Sequence, residues 1–536
     1  MRKKLAMKIC AIVMTAAMVG TMAGCGNDSS NPSSSAGESG SSSEVSSDAA
    51  EDSEESGGAD ESSEETPAEE EGGEEANAEE ETYDFGGQVV KVNGNIWDNL
   101  KEPVPNDNGE VDTTNYDKYW GFAHQIEEKY NIKFEWVELT GDDGYSAGEK
   151  IVQTILDGQC FADILAVSDD VFITMMTGDY LADITDTYNE LQVGSLWTEA
   201  ATWQGRVYGQ TYDGVGNCYV MVYSRDYLES IGMTETPTDK FLKGEWSYDD
   251  CIEYLTEMKS KLPDGTYPMS VHYYHWASMA PAANGGVVSV DSDGNLGFTD
   301  PAYTEALEFY VNLQNLGLAQ MMVPTDNGDD TYSSAFDYGH DKMSTATEGT
   351  TFVMTMAEGW QYQYLLERCG NWGIVPWPWG SQVTCEGDYT TLSDNYRTVQ
   401  SIWTDTVIPK AEYRNASNIP DIVLFKIARD MFDLNSPNGA AVRKAMWEAE
   451  QKGEEFDYMG DAPGSAGSFC TEQDVEVYDW LHSRIMYDWG HAFDQNDITN
   501  VWELAKRTVA VKLDARSVAE RYLQEAEAKM AEKGLK

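Results

Sequence analysis

Apolar and polar positions alternate along Gln88-Val89-Val90-Lys91-Val92-Asn93, which predicts a strand that runs into Gly94-Asn95-Ile96-Trp97-Asp98. The period then changes. Trp120, Ala123, Ile126 and Tyr130 recur at three- and four-residue spacing, which predicts a helix from Tyr116 to Tyr130. A strand at Ile132 to Leu139, a helix near Gly148 to Leu156 and a short buried strand at Asp163 to Val167 are expected next. Strand, helix, strand, helix, strand implies an α/β chain with a parallel sheet. In open sheets of that kind ligands sit beyond the carboxyl ends of strands, which singles out Trp97, Asp98, Asp169 and Asp170.

Before this domain comes a different pattern. Arg2, Lys3, Lys4 and Lys8 precede an apolar run from Ile9 to Met22 and then Ala23-Gly24-Cys25, which reads as a secretory signal too short for an ordinary membrane span. Met22-Ala23-Gly24-Cys25 also resembles the bacterial lipobox, with Met22 where Leu is usual. That resemblance implies a signal peptide over 1–24, removed on maturation, and a lipidated Cys25 that anchors the protein to the outer face of the cell membrane. Each buried methylene contributes ~0.8 kcal/mol, so two or three acyl chains anchor durably. After Cys25, as far as residue 84, the chain is mainly Ser, Gly, Glu, Asp and Ala, with almost no large apolar side chains. Residues 26–84 hold 21 acids in 59 positions and no Lys or Arg. Such a segment buries too little surface to offset its ordering entropy and is expected to be a disordered tether. As a coil it would span roughly 40 Å, more with charge repulsion, which suits a domain clearing a thick, Gram-positive cell wall.

Removing the tether leaves 73 Asp and Glu, against 31 Lys and Arg once the signal-peptide cations are also set aside. A field this negative argues against nucleic acid and anionic lipid as partners, because binding phosphate relies on cations. Residues 85–536 exceed one core and suit two lobes. Cys160, Cys218, Cys251, Cys369, Cys385 and Cys470 include no Cys-x-x-Cys pair and no nearby His cluster, so metal-site spacing is absent and neither metal nor cofactor is expected. Whether these six thiols pair is open.

Ordered motifs carry a family resemblance. Ala162-Asp163-Ile164-Leu165, Ser168-Asp169-Asp170 and Gly178-Asp179-Tyr180-Leu181-Ala182-Asp183-Ile184 are followed by Gly205-Arg206-Val207-Tyr208-Gly209, Tyr219 to Leu228, Trp246-Ser247-Tyr248-Asp249-Asp250 and Asp293 to Phe298 leading into a helix from Ala302 to Leu316. Their succession resembles bacterial extracellular solute-binding proteins, family 1, including maltodextrin-binding ones. The resemblance implies the two-lobed α/β periplasmic-binding-protein-like fold of type II, in which a hinge closes an interlobe cleft on a solute. The chain would cross near Tyr212 to Cys218 and Tyr396 to Trp403. Lobe 1 would hold about 86–216 and 403–465, lobe 2 about 217–402 and 466–536. A membrane permease of the ABC importer type is the implied partner.

Sixteen Trp and 30 Tyr bear on the solute, since sugar C–H faces stack on such rings. Trp136, Trp372 and Trp447 sit in periodic apolar contexts and are expected in the core. The resemblance puts Tyr274 and Trp276 in the second-lobe aromatic segment of the cleft, Trp360 and Tyr362 in the strand and turn whose Trp stacks on a sugar, and Trp502 near another stacking position. It puts Asp170 on the hydroxyl-binding Asp, and Tyr212 and Asn217 on the first crossing. Trp377 lies on a loop that reaches either the cleft or a lobe edge. Val167 replaces the family's Trp three residues before Asp170, which speaks against maltodextrin itself. Asp291-Ser292-Asp293-Gly294-Asn295 lacks the twelfth-position Glu of a calcium loop and is taken as a hairpin turn.

No His-Glu-x-x-His or phosphate-cradling loop occurs, and no catalytic residue is singled out. The leading expectation is a non-enzymatic, extracellular, membrane-anchored lipoprotein that captures a carbohydrate for an ABC importer. The alternatives are a surface-anchored glycan-degrading enzyme using two carboxylates, and the same fold binding peptides.

Overall fold

The computed structural model describes residues 83–94, 120–137, 148–186, 199–211, 219–322, 352–357, 370–400, 405–414, 417–433, 440–452 and 468–536, with isolated positions between them. The signal peptide, Cys25 and the tether as far as residue 82 lie outside the described residues. Among those described, no helix is long and apolar enough to cross a membrane.

Two five-stranded sheets organise the chain. In the first, Gln88–Asn93 pairs in parallel with both Ile132–Trp136 and Ile164–Val167, so the expected parallel βαβαβ run is present. The intervening helices are Trp120–Tyr130 and Gly148–Leu156. Asp405–Val407 and Gly209–Thr211 complete this sheet as antiparallel strands. Successive side chains on a strand point to opposite faces, and the core follows that alternation. Val90, Val92 and Ile164 pack toward Phe122, Ile126 and Tyr130 and toward Leu424 and Ile427 of the helix Asp421–Asp433. Leu165, Val167 and Val407 pack toward Ile151, Ile155, Phe172 and Met176 on the other face. Strands buried on both faces read as the near-continuous apolar run Ile164-Leu165-Ala166-Val167.

The second sheet is ordered Trp372–Val375, Val220–Ser224, Phe352–Ala357, Tyr267–His272, Ala319–Met322. Tyr267–His272 runs parallel to both neighbours, whereas Val220–Ser224 is antiparallel to both of its own. Its helices start where the sequence motifs place them. Ser247 accepts from the Asp250 amide while the Asp250 carboxylate accepts from the Ser247 amide, a capping box that begins Tyr248–Lys261. Asp300 caps Pro301–Asn315 in the same sense, accepting from Ala302 N–H at 2.8 Å. Arg225 bridges this lobe internally, reaching the buried Asp474 carboxylate at 2.7 Å.

The carboxyl-terminal stretch 468–536 divides its packing. Phe469, Val475, Tyr478 and Leu481, then Val501, Leu504 and Tyr522, join the core of the second sheet. Between them Tyr487, Trp489, Phe493 and Ile498 join the core of the first, together with Trp203 and Val290. A buried seam therefore links the two. Asp488 accepts from Ser289 Oγ at 2.6 Å, Gly490 N–H at 2.9 Å and Val290 N–H at 3.1 Å. A Cβ on Gly490 would lie 1.8 Å from Ser289 Oγ, so only glycine permits this approach.

Among the described cysteines, Cys160, Cys251, Cys385 and Cys470 are free thiols. Cys218 and Cys369 lie outside the described residues.

Candidate functional site

The register of the first sheet brings Val167, Asp405 and Thr211 onto one rung, at the end where Ile164–Val167 finishes. From that edge the chain leaves after Thr211 and enters the second sheet at Val220, next to Ala357 and hence at the carboxyl end of Phe352–Ala357. It returns between Gln400 and Asp405. The first crossing thus joins the carboxyl edges of both sheets, the edges at which α/β proteins hold ligands, and the return reaches the same edge of the first sheet at Asp405. Residues 212–218 and 401–404 themselves lie outside the described residues.

At the second-sheet edge, Tyr267–His272 runs directly into the helix Tyr273–Ala283, and His272 accepts the Tyr274 N–H on its ring nitrogen at 3.2 Å. This sharp strand-to-helix turn bunches four rings. Trp502 lies 4.9 Å from Tyr274, 5.3 Å from His272 and 5.5 Å from Tyr273 between ring centroids. Behind them His275 packs on Tyr219 at 4.3 Å. Trp502 is 36% exposed while Tyr273, Tyr274, His272 and His275 are buried, so one indole rests partly in solvent on a buried aromatic floor.

Trp502 is held from the other side of the seam. The Asp494 carboxylate accepts the amides of Val501 and Trp502 at 2.8 and 2.9 Å and the Thr499 hydroxyl, fixing the start of the helix Val501–Ala505. His491, on the same helix as Asp494, meets the Asp169 carboxylate at 2.9 Å and lies 6.1 Å from the Tyr274 ring. Asp169 opens the helix Asp169–Thr177 beyond the carboxyl end of Ile164–Val167. The carboxyl edges of the two sheets are thereby connected through Asp169, His491 and Tyr274.

Electrostatics separate the imidazoles. Burial pushes His272 down to about 3, and it pushes His275 well below its ordinary value with help from His272 and His491, so both are neutral at pH 7. Burial also works against charge on His491, but the Asp169 carboxylate outweighs it and raises the imidazole, with Asp494 and Asp488 adding to the effect. Burial lifts Asp488 and Asp494 above the usual carboxylate range. The floor is therefore neutral and aromatic, flanked by one imidazole–carboxylate pair.

The residues singled out from sequence fall into three groups. Tyr274 and Trp502 come together. Trp276, Tyr362 and Trp377 do not join them: Trp276 and Tyr362, expected at the cleft, pack in the core, as does Trp377, expected at the cleft or a lobe edge. Trp276 is fully buried, donates its indole N–H to the Ala306 carbonyl at 2.7 Å and stacks on Tyr310 at 4.6 Å. Trp377 donates to the Tyr219 carbonyl at 2.8 Å and sets its edge on Trp276. Tyr362 is enclosed by Trp372, Phe469 and Tyr478. A helix places residues two apart on different faces, which sends Trp276 inward below Tyr274. Asp170 is the second residue of its helix, with its side chain outside what the structure describes. Trp97, Asp98, Tyr212, Asn217 and Trp360 lie outside the described residues.

His272, Asp494 and His491 were missed. Asp169 and His491 are 322 positions apart, and no local pattern marks such a pair. Of the expected core indoles, Trp372 is buried and Trp447 is partly buried, donating to the Phe469 carbonyl at 3.0 Å; Trp136 is partly buried beside Phe134. Asp291-Ser292-Asp293-Gly294-Asn295 is a turn, its Asp291 carboxylate accepting the Asp293 and Asn295 amides at 3.0 and 2.8 Å.

The model of the bacterial extracellular solute-binding protein family matches residues 91–336. Over these residues, somewhat less than half of its length, the chain is similar to this family. No curated protein matches the sequence. Solved structures of the family's two-lobed kind superpose on it. The sugar-binding protein MalE of Xanthomonas citri is 12% identical with a TM-score of 0.53, covering 83% of this chain and 98% of its own. The galacto-N-biose/lacto-N-biose I-binding protein of a Bifidobacterium longum ABC transporter is 13% identical with a TM-score of 0.50, covering 84% and 99%. UgpB of Mycobacterium tuberculosis, in complex with glycerophosphocholine, is 12% identical with a TM-score of 0.50, covering 84% and 100%. The fold is thus the two-lobed α/β fold of these structures, and the matching family is one of binding proteins.

Proposed function

We propose that this protein binds a carbohydrate, probing it with Trp502 above the Tyr274 floor, and delivers it to an ABC-type permease from the outer face of the membrane. The observation that carries this reading is the part-exposed indole on a buried ring cluster at the carboxyl edge of the second sheet. Sugars offer apolar C–H faces to such rings. MalE and the Bifidobacterium protein, both named as sugar-binding, share the fold and support the reading. The lobes close by a hinge at the crossings, with the division near 86–216 and 403–465 against 217–402 and 466–536, corrected by the return of residues 487–498 to the first core; Trp97, Asp98, Asp170, Tyr212, Asn217 and Trp360 complete the contacts. Closure needs contacts that favour the shut state over the open one.

Cys25 carries the lipid that holds the mature chain at the membrane, and the acidic tether sets its reach. Binding proceeds without turnover. The test is a glycan array followed by calorimetry on residues 85–536. Saturable binding with no new reducing ends is expected; release of reducing ends refutes the reading, as does binding of peptides alone.

A further inference from the structure

The strands flanking the two crossings hold buried polar groups that the fold leaves unmatched. Gln210 is fully buried, and neither its side-chain oxygen nor its nitrogen has a hydrogen-bond partner. The same holds for both polar atoms of Gln400. Thr406, 2% exposed, is the register partner of Gln210, and its hydroxyl is likewise unmatched. Register partners carry their side chains on one face, with Cβ atoms ~4.5–5.5 Å apart.

Position adds to chemistry. The Gln210–Thr406 rung is one step from the Thr211–Asp405 rung at which the first sheet ends. Gln400 stands at the opposite end of the 401–404 crossing, fixed by its N–H to the Met486 carbonyl at 2.9 Å. Native interiors satisfy nearly all buried polar atoms, and each exception costs free energy. Five such atoms, on three side chains beside the crossings, are a concentration that packing alone does not reward.

We propose that Gln210, Thr406 and Gln400 form a hydrogen-bonding seat for hydroxyl groups of the bound solute at the base of the interlobe site. Resting on the carbohydrate reading, it narrows the solute. Each amide offers one acceptor and one donor group, and the threonine hydroxyl can act as either. None of the three carries charge. Neutral hydroxyls, which both give and accept, fit this set; a phosphate or an ammonium group calls for charged partners that the seat does not supply.

The test uses Gln210→Met and Gln400→Met, which keep the unbranched shape and remove the polar atoms. Unfolding is followed without solute, and binding is titrated with maltose and with lacto-N-biose. Each variant should melt at or above the wild-type temperature and bind the recognised sugar at least tenfold more weakly. A dissociation constant within twofold of wild type overturns the seat. So does a lowered melting temperature, because it reports partners already held within the protein. If the wild type binds neither sugar, the titration is made with the glycan that the array identifies; a chain that binds no glycan refutes the carbohydrate reading on its own account, and the melting temperatures then decide whether these atoms are unmatched.

Discussion

Replacing Trp276 by alanine tests whether this ring belongs to the fold or to the solute. Its indole is fully buried, its N–H is bonded to the Ala306 carbonyl, and its face lies 4.6 Å from the Tyr310 ring at an interplanar angle of 13°. Truncating a buried Trp to Ala costs ~3–5 kcal/mol. With the second lobe as the unfolding unit, each kcal/mol lowers the melting temperature by roughly 2–4 °C, so a fall of about 6–20 °C is expected. Trp276→Phe keeps the stack and loses chiefly the hydrogen bond and some volume, so it should cost less. Calorimetric melting of the ligand-free protein, paired with a titration of the folded variant, reads both quantities. The reasoning is refuted if Trp276→Ala melts within about 2 °C of wild type yet loses affinity, since that is the behaviour of a ring facing the solute.

Trp502→Ala should show the complementary pattern. Losing its stacking contact weakens sugar binding by at least ~10-fold, with a smaller loss of stability than Trp276→Ala; unchanged affinity by calorimetry would remove Trp502 from the site. Gly490→Ala drives a methyl group against Ser289 Oγ and displaces it from Asp488, which should cost ~1–3 kcal/mol in a denaturant titration, and an unaltered midpoint would sink the account of the seam. The Asp169 carboxylate holds the His491 pKa above its ordinary 6.5, with Asp494 and Asp488 facing the same ring. The stabilisation from this pair is therefore complete below pH 6.5 and is lost as pH rises through the higher folded value. His491→Gln should flatten that decline in a series of melts; parallel pH profiles for both proteins would count against it.

Much of the fold is legible in the order of residues because its cues are local. The change from alternation at Gln88–Asn93 to helical spacing at Trp120–Tyr130 marks a β-to-α step that packing then confirms. Ser247 and Asp300 announce their helices, since a cap involves residues only two or three apart. The site is less legible. Tyr273-Tyr274-His275-Trp276 marks an aromatic segment, but sequence spacing left open which ring faces outward, and it is Tyr274 that meets Trp502 while Trp276 packs on Tyr310.

The sequence by itself determined an α/β chain with a parallel opening sheet, an aromatic-rich composition and a strongly acidic balance, all of which depend on neighbours along the chain or on composition. Tertiary structure alone decided that residues 487–498 return to the first core and that His491 meets Asp169. It also decided that Trp502 settles above Tyr274, across more than 200 intervening residues. Such pairings depend on where whole elements dock. Docking is set by the summed burial of many side chains, which no short motif encodes.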